Sequence, residues 1–233
     1  MPLIGIIGAM EVEIVGILAA MTDITTRSIA QISFHVGRLG DKEVVLARCG
    51  VGKVNAAMCT QAMLDKFPVL HIINLGVAGA INNSLNIKDV VVSTSLVQHD
   101  FDITAVGHPP GHVPALGVEL HADKDLAEAA LAVCKEIFKG STSTAYLATI
   151  ATGDQFVADK NVKERIHSNF DAYCVEMEGA AIAQVCHLNQ VPFVVIRAIS
   201  DKADGSADMD FEEFLTAAAA NSSKIVARLV SSL

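Results

Sequence analysis

The chain has 233 residues, 52% of them hydrophobic, 18% charged and 5% aromatic, with no Trp. That is enough apolar material for a substantial core, and without a linker-like or low-complexity tract a single domain over 1–233 is expected. Lys and Arg number 17 against 26 Asp and Glu, a net charge of −9, and the basic residues form no stripe; this argues against nucleic acid and anionic membranes as partners and leaves a small molecule or a protein.

In chain order, LIGIIGAM (3–10) reads as a short buried strand running into a Gly-containing turn, and EVEIVGILAAM (11–21) as a helix. ISFHVGRLG (32–40) and KEVVLARCG (42–50) are two strands joined by a tight turn. KVNAAMCTQAMLDKF (53–67) is an amphipathic helix. VLHIINLGVAGAI (69–81) is a buried strand opening into a Gly-rich bend, and DVVVSTSLVQHD (89–100) is another apolar strand. HPPGHVP (108–114) is a loop. DKDLAEAALAVCKEIF (123–138) is a helix capped by Asp123, TAYLATIATG (144–153) a strand and DKNVKERIHSNF (159–170) a helix. YCVEM (173–177) is extended and GAAIAQVCHLN (179–189) helical. VPFVVIRAIS (191–200) is a strand, and 210–233 form a long terminal helix. Alternating helices and strands that are apolar on both faces predict an α/β fold, a sheet covered on both sides by helices.

The N-terminus MPLIGIIGAMEVE carries no basic segment and turns acidic at once, so it is not read as a signal peptide, and no apolar run reaches the length of a membrane span. The five cysteines are odd in number and form no CxxC pair. They read as small core hydrophobes in a reducing cytoplasm.

Ligands of such sheets bind beyond the carboxyl ends of strands. There the sequence places Met10, Glu11 and Glu13, then GVAG (76–79), GDQFV (153–157), Glu178, and Ser200 with Asp201. Glu176 and Glu178 stand in an otherwise apolar stretch, where an unpaired carboxylate is costly to bury. Glu178 lies at the mouth of a helix, where an acid is favoured, and reads equally as a helix cap or as a ligand for something in a pocket. Asp201 reads as a turn residue or a functional acid, and Glu13 as a surface acid on composition alone. Several motifs fail. GVGK (50–53) has Ala47 and Val54 where a phosphate loop needs Gly and Ser or Thr. GIIGAM lacks the dinucleotide-binding spacing. HDFD (99–102) is a weak metal cluster, with His99 and Asp100 read as structural, and Cys186–His187 has no partner at zinc-site spacing. No GxSxG occurs.

Taken together, GIIGAMEVE (5–13), GVGKVNAA (50–57), GVAG, GDQFV, VEMEGAAIAQVC (175–186) and RAISDKAD (197–204) resemble the bacterial 5′-methylthioadenosine/S-adenosylhomocysteine nucleosidases, in order and over almost the whole chain. The resemblance implies a nucleoside phosphorylase/hydrolase-like fold, a twisted mixed sheet wrapped by helices, usually in a homodimer. It implies cleavage of the N-glycosidic bond with no metal and no organic cofactor, in methionine salvage. Asp201 would protonate adenine N7, with Ser200 holding its carboxylate. Glu13 would orient and deprotonate the water, with Arg197 in the same network. Glu178 would clamp the ribose hydroxyls, Met177 would pack on the ribose, and Glu176 belongs to the same motif at the sugar. Phe156 would stack on adenine and the backbone of Val157 would read its edge. Met10, Val51 and Phe211 would line the apolar part. Ile103, Val106 and Pro114 would meet the 5′-alkylthio tail from the partner subunit. Where phosphate-using relatives carry Arg and Ser near the Gly-rich bend, and Arg near the N-terminal bend, this chain has Asn74, Val77 and Glu13, which favours water as nucleophile. Many members have Ser in place of Val77. Some members with GVAG, LVQHD and GDQFV also hydrolyse 6-amino-6-deoxyfutalosine, and 5′-deoxyadenosine is a further candidate substrate. A phosphorylase of the same fold and a non-catalytic nucleoside-binding protein are the rival readings.

Overall fold

The apolar runs become the central strands. In the computed structural model, which describes residues 2–233 (208–210 by backbone alone), β1 (Leu3–Gly8) is buried along its length. Ile6 and Ile7 enter opposite core clusters, as the period of two in a strand requires. The remaining strands are β2 (Met21–Ile29), β3 (Ile32–Leu39), β4 (Lys42–Arg48), β5 (Val69–Ala80), β6 (Val90–Gln98), β7 (Glu119–His121), β8 (Ala145–Thr152), β9 (Cys174–Glu176) and β10 (Phe193–Asp201). The helices are α1 (Glu11–Ala20), α2 (Lys53–Lys66), α3 (Lys124–Ile137), α4 (Lys160–Phe170), α5 (Gly179–Leu188) and α6 (Ala207–Ser232).

The strands form one mixed sheet in the order β10-β6-β8-β9-β5-β1-β4-β3-β2, with β7 added to β6. Because β10 also pairs with β5, strands β5, β9, β8, β6 and β10 close on themselves as a small barrel, and β1, β4, β3 and β2 extend from it as a wing. One core cluster joins Phe34, Met63, Ile72, Ile182 and Cys186, under α2 and α5. A second joins Ile14, Ile17, Leu46, Ile73, Val226 and Leu229, under α1, α3 and α6, and a smaller third joins Ile81, Val97, Ala151 and Ile166. Each fully buried aliphatic side chain contributes about 1.5–3 kcal/mol, so the two larger layers hold the sheet. Among the described residues no helix is long and apolar enough to cross a membrane.

The expected elements are present, with shifted ends and two additions. Residues 21–29, assigned to no strand from sequence, form β2, an edge strand exposed along most of its length. An edge strand needs no buried face, so it carries no apolar pattern to read. The three-residue β7 is too short to leave a periodic signal. GVAG does not open into a bend. It lies inside β5, which runs to Ala80. Asp123 caps α3 as expected, accepting a hydrogen bond from the Leu126 N–H (2.9 Å).

Candidate active site

The carboxyl ends of β1, β5, β9 and β10 converge on a cavity of about 170 Å³. It is lined by eleven of the residues singled out from sequence: Met10, Glu13, Val51, Phe156, Val157, Glu176, Met177, Glu178, Ser200, Asp201 and Phe211. Val77 and Gln155 also face it. Four residues with expected site roles do not line it, three of them expected to reach it only from the partner subunit. Ile103, Val106 and Pro114 lie on the segment after β6, away from this chain's own cavity. Arg197 stands behind the wall, 1% exposed.

Glu13 sits in the first turn of α1 and is buried, which overturns its surface-acid reading. One oxygen accepts the N–H groups of Ala9 (2.7 Å) and Met10 (2.9 Å), so the side chain reaches back to the start of its own helix. The other accepts the Val77 N–H across the sheet (3.2 Å). Burial raises its pKa, against the opposing pull of the Arg197 charge and these three N–H donors.

Glu178 precedes α5, but its side chain makes no capping bond. It turns into the cavity instead, and its Oε1 accepts the Gly52 N–H (2.9 Å). Burial, and then the neighbouring Glu176 carboxylate, push its pKa up to about 7. Glu176 has the opposite environment. It accepts hydrogen bonds from the N–H groups of Glu178 (3.0 Å) and Gly179 (2.8 Å), from the Thr152 hydroxyl, and from Arg197. Its oxygens are thus engaged by protein donors. Glu176 lines the cavity and at the same time anchors the α5 N-terminus through these bonds.

Arg197 also donates to the Asn74 side-chain oxygen (2.8 Å) and lies 3.6 Å from Glu178. Burial alone would lower its pKa, but the carboxylates of Glu176, Glu178 and Glu13 outweigh that and raise it. A buried cation tolerates such a place only when it is paired. Asn74 faces this guanidinium and the Ile7 carbonyl, not the cavity. Gly76 explains the glycine of GVAG: a Cβ there would lie 2.2 Å from Arg197 Nη1 and 2.7 Å from Glu13 Oε1.

Asp201 ends β10 at an irregularity, where the register against β5 slips between Ile199 and Asp201. Such bulges re-aim side chains. Its carboxylate accepts the Ser200 hydroxyl (2.9 Å) and the Ala203 N–H (2.8 Å) and is 3% exposed. At the cavity mouth Phe156 meets Phe211 edge-on, with centroids 5.5 Å apart. Sequence reasoning missed Gly52, set aside as part of a failed phosphate loop. The signal was a glycine before a helix, here at φ +100°, with its N–H turned to the site and donated to Glu178.

A barrel whose strand ends bring four buried acids and one buried arginine round an apolar slot defines an α/β enzyme for acid–base chemistry on a small organic ligand. The sequence profile of the Phosphorylase superfamily matches residues 3–231, and the chain belongs to that family. It is 43% identical over 232 residues to the 5′-methylthioadenosine/S-adenosylhomocysteine nucleosidase of Staphylococcus carnosus, covering 99% of this chain and all of that one. The nucleosidase of Neisseria meningitidis, solved with methylthio-immucillin-A, superposes with a TM-score of 0.94 at 42% identity over the full length of both chains. The futalosine hydrolase of Helicobacter pylori does so with a TM-score of 0.94 at 38% identity, over all of this chain and 98% of that one.

Proposed function

We infer that the cavity hydrolyses the N-glycosidic bond of 5′-methylthioadenosine and S-adenosylhomocysteine, releasing adenine and the 5-thioribose derivative. The observation that carries the reading is the convergence of Glu13, Glu178 and Asp201 on one apolar slot. Cleavage needs a proton on the leaving base, stabilisation of a cationic ribosyl centre, and an activated water. Asp201, held by the Ser200 hydroxyl, gives its proton to adenine N7. Phe156 stacks on the base and the Val157 backbone reads its edge. Glu178 accepts the ribose hydroxyls, with Met177 against the ring. Glu13 orients the water and takes its proton. Burial has raised the pKa of Glu13, which brings a carboxylate base nearer to neutral pH, where general-base catalysis is most effective. Together the acids form a site with excess negative charge, matched to a sugar that becomes positive only in the transition state.

Water is the nucleophile in this reading because Glu13 occupies the cavity floor, where its charge opposes phosphate. The 5′-substituent leaves past Met10, Val51 and Phe211 towards Ile103, Val106 and Pro114 of a second copy, so the working unit is a homodimer. The likeness to a futalosine hydrolase extends the candidate substrates to 6-amino-6-deoxyfutalosine. The buried, unpaired cysteines suit a reducing compartment, and we place the chain in the cytoplasm, in methionine salvage.

The test is adenine release from methylthioadenosine in phosphate-free buffer, repeated with added phosphate. The expected result is release without phosphate, giving free methylthioribose at the same rate in both. Release only with phosphate, giving the sugar 1-phosphate, would establish the phosphorylase instead. Absence of turnover with retained nucleoside binding would establish the binding protein.

A further inference from the structure

A closed ring of interactions lies beside the cavity and outside it. The Lys53 backbone N–H donates to Asp154 Oδ1 (2.7 Å). The Asp154 N–H donates to Asp100 Oδ2 (2.9 Å). The Asp100 Oδ1 accepts from Lys53 Nζ (2.6 Å), which closes the ring. The three residues come from three places: the start of α2, the segment after β6, and the segment after β8. Lys53 Nζ also donates to Gln98 Oε1 (3.1 Å), and Gln98 donates to Gln184 on α5 (2.7 Å).

What the ring holds is the two halves of the site. Gly52, one residue before Lys53, gives its N–H to Glu178 at the sugar end. Asp154 leads directly into Gln155, Phe156 and Val157, which line the adenine end. Consecutive backbone N–H groups of one turn therefore grip a carboxylate on each side. Gly52 fits because it adopts φ +100°, and a Cβ there would stand 3.0 Å from Asp154 Oδ1. The helix α2 has no side-chain cap of its own; these distant carboxylates meet its N-terminus instead, where negative charge is favoured.

We propose that Asp100 is a positioning residue for the hydrolysis, fixing with Lys53 and Asp154 the spacing between the turn that holds Glu178 and the loop that holds adenine. None of the three side chains lines the cavity, so the ring acts through Gly52 and through residues 155–157. The side chains of Lys53 and Asp100 are 18% and 27% exposed, sheltered enough for the pair to hold its geometry. Burial works against ionisation of Asp100, but the hydrogen bonds from Lys53 and the Asp154 N–H outweigh it and keep its pKa below the ordinary aspartate value.

The inference rests on the nucleosidase reading, and adenine binding separates the two, since it is measured without turnover. Asp100→Asn cannot serve both donors of the ring, and Lys53→Met keeps the stem and removes the charge. Each is expected to raise KM for methylthioadenosine and Kd for adenine about tenfold, with kcat changed less than about threefold. The double variant is expected to be no worse than either single, since each opens the same ring. Lys53→Arg, which keeps a charge within reach of Asp100, is expected to stay within about threefold of wild type. Unchanged KM and adenine Kd in both single variants would overturn the proposal. So would losses that multiply in the double variant, or a Lys53→Arg as defective as Lys53→Met. If Asp100→Asn is insoluble, the Met and Arg variants of Lys53 decide alone. A wild type that binds adenine but does not hydrolyse methylthioadenosine would defeat the nucleosidase reading and leave the ring to be judged by adenine Kd.

Discussion

Two glutamates separated by one residue have opposite fates, and hydrogen-bond donors make the difference. Glu176 is met by two N–H groups, a hydroxyl and a guanidinium. Glu178 has one N–H partner and a pKa raised to about 7 by burial and by its neighbour. A carboxyl whose pKa is higher in the fold than in the unfolded chain binds its proton more tightly when folded. Its contribution is therefore fully present at pH below 4.5, the ordinary value, and is lost as pH rises towards about 7. Glu178→Gln is expected to match wild type in Tm near pH 5 and to exceed it by several degrees near pH 8, while KM for the nucleoside rises. Thermal melts across that range check this; a variant less stable than wild type at pH 8 would show that the Glu178 charge supports the fold. Glu13 and Asp201 carry the chemistry in our reading. Glu13→Gln and Asp201→Asn are each expected to lower kcat by about 10²–10⁴ with the fold intact by circular dichroism. Near-normal turnover in either variant would remove that residue from its role.

At the scale of elements, GVAG belongs to a strand because the barrel closes there. β5 pairs with β1, β9 and β10, and its Gly76 leaves space for Arg197 and Glu13 to approach the same point. Gly76→Ala is expected to cost about 1–3 kcal/mol through overpacking and to lower kcat/KM by displacing both side chains. Wild-type stability and activity in that variant would mean that the guanidinium has room to move. This also marks what the sequence could and could not say. Strands β1, β6 and β10 were legible because each is apolar through both faces, and α3 because Asp123 announces its start. β2 was not, since an exposed edge leaves no pattern. Glu13 looked like a surface acid because burial of a carboxylate depends on Arg197 and on N–H groups from residues 9, 10 and 77, which only the fold assembles. The family motifs named the cavity residues. The Lys53–Asp100–Asp154 ring was passed over because Lys53 and Asp100 sit in motifs that failed for phosphate and metal, and Asp154 was read only as part of GDQFV.

At the scale of the molecule, the proposed function leaves the 5′ end of the cavity to be completed by a second copy. Phe156 and Val51 are each 47% exposed at the cavity rim, Val54 is 77% and Met58 42% exposed on the adjoining face of α2, and Val106 is 73% exposed on the segment after β6. Exposed large apolar side chains of this kind are what a protein–protein contact covers. In the proposed homodimer, Ile103, Val106 and Pro114 of a second copy would cover the open end of the slot and complete the tail site. Val106→Asp would put a charge into that contact. It is expected to sediment as a monomer where the wild type is expected to sediment as a dimer, and to lose about tenfold or more in kcat/KM for methylthioadenosine, mostly through KM. Adenine, which carries no tail, is expected to bind the variant with near wild-type affinity. That contrast separates loss of the tail contact from general damage to the site. A wild type that is monomeric at concentrations where it is fully active would end the dimer argument, because the slot would then hold its substrate without help.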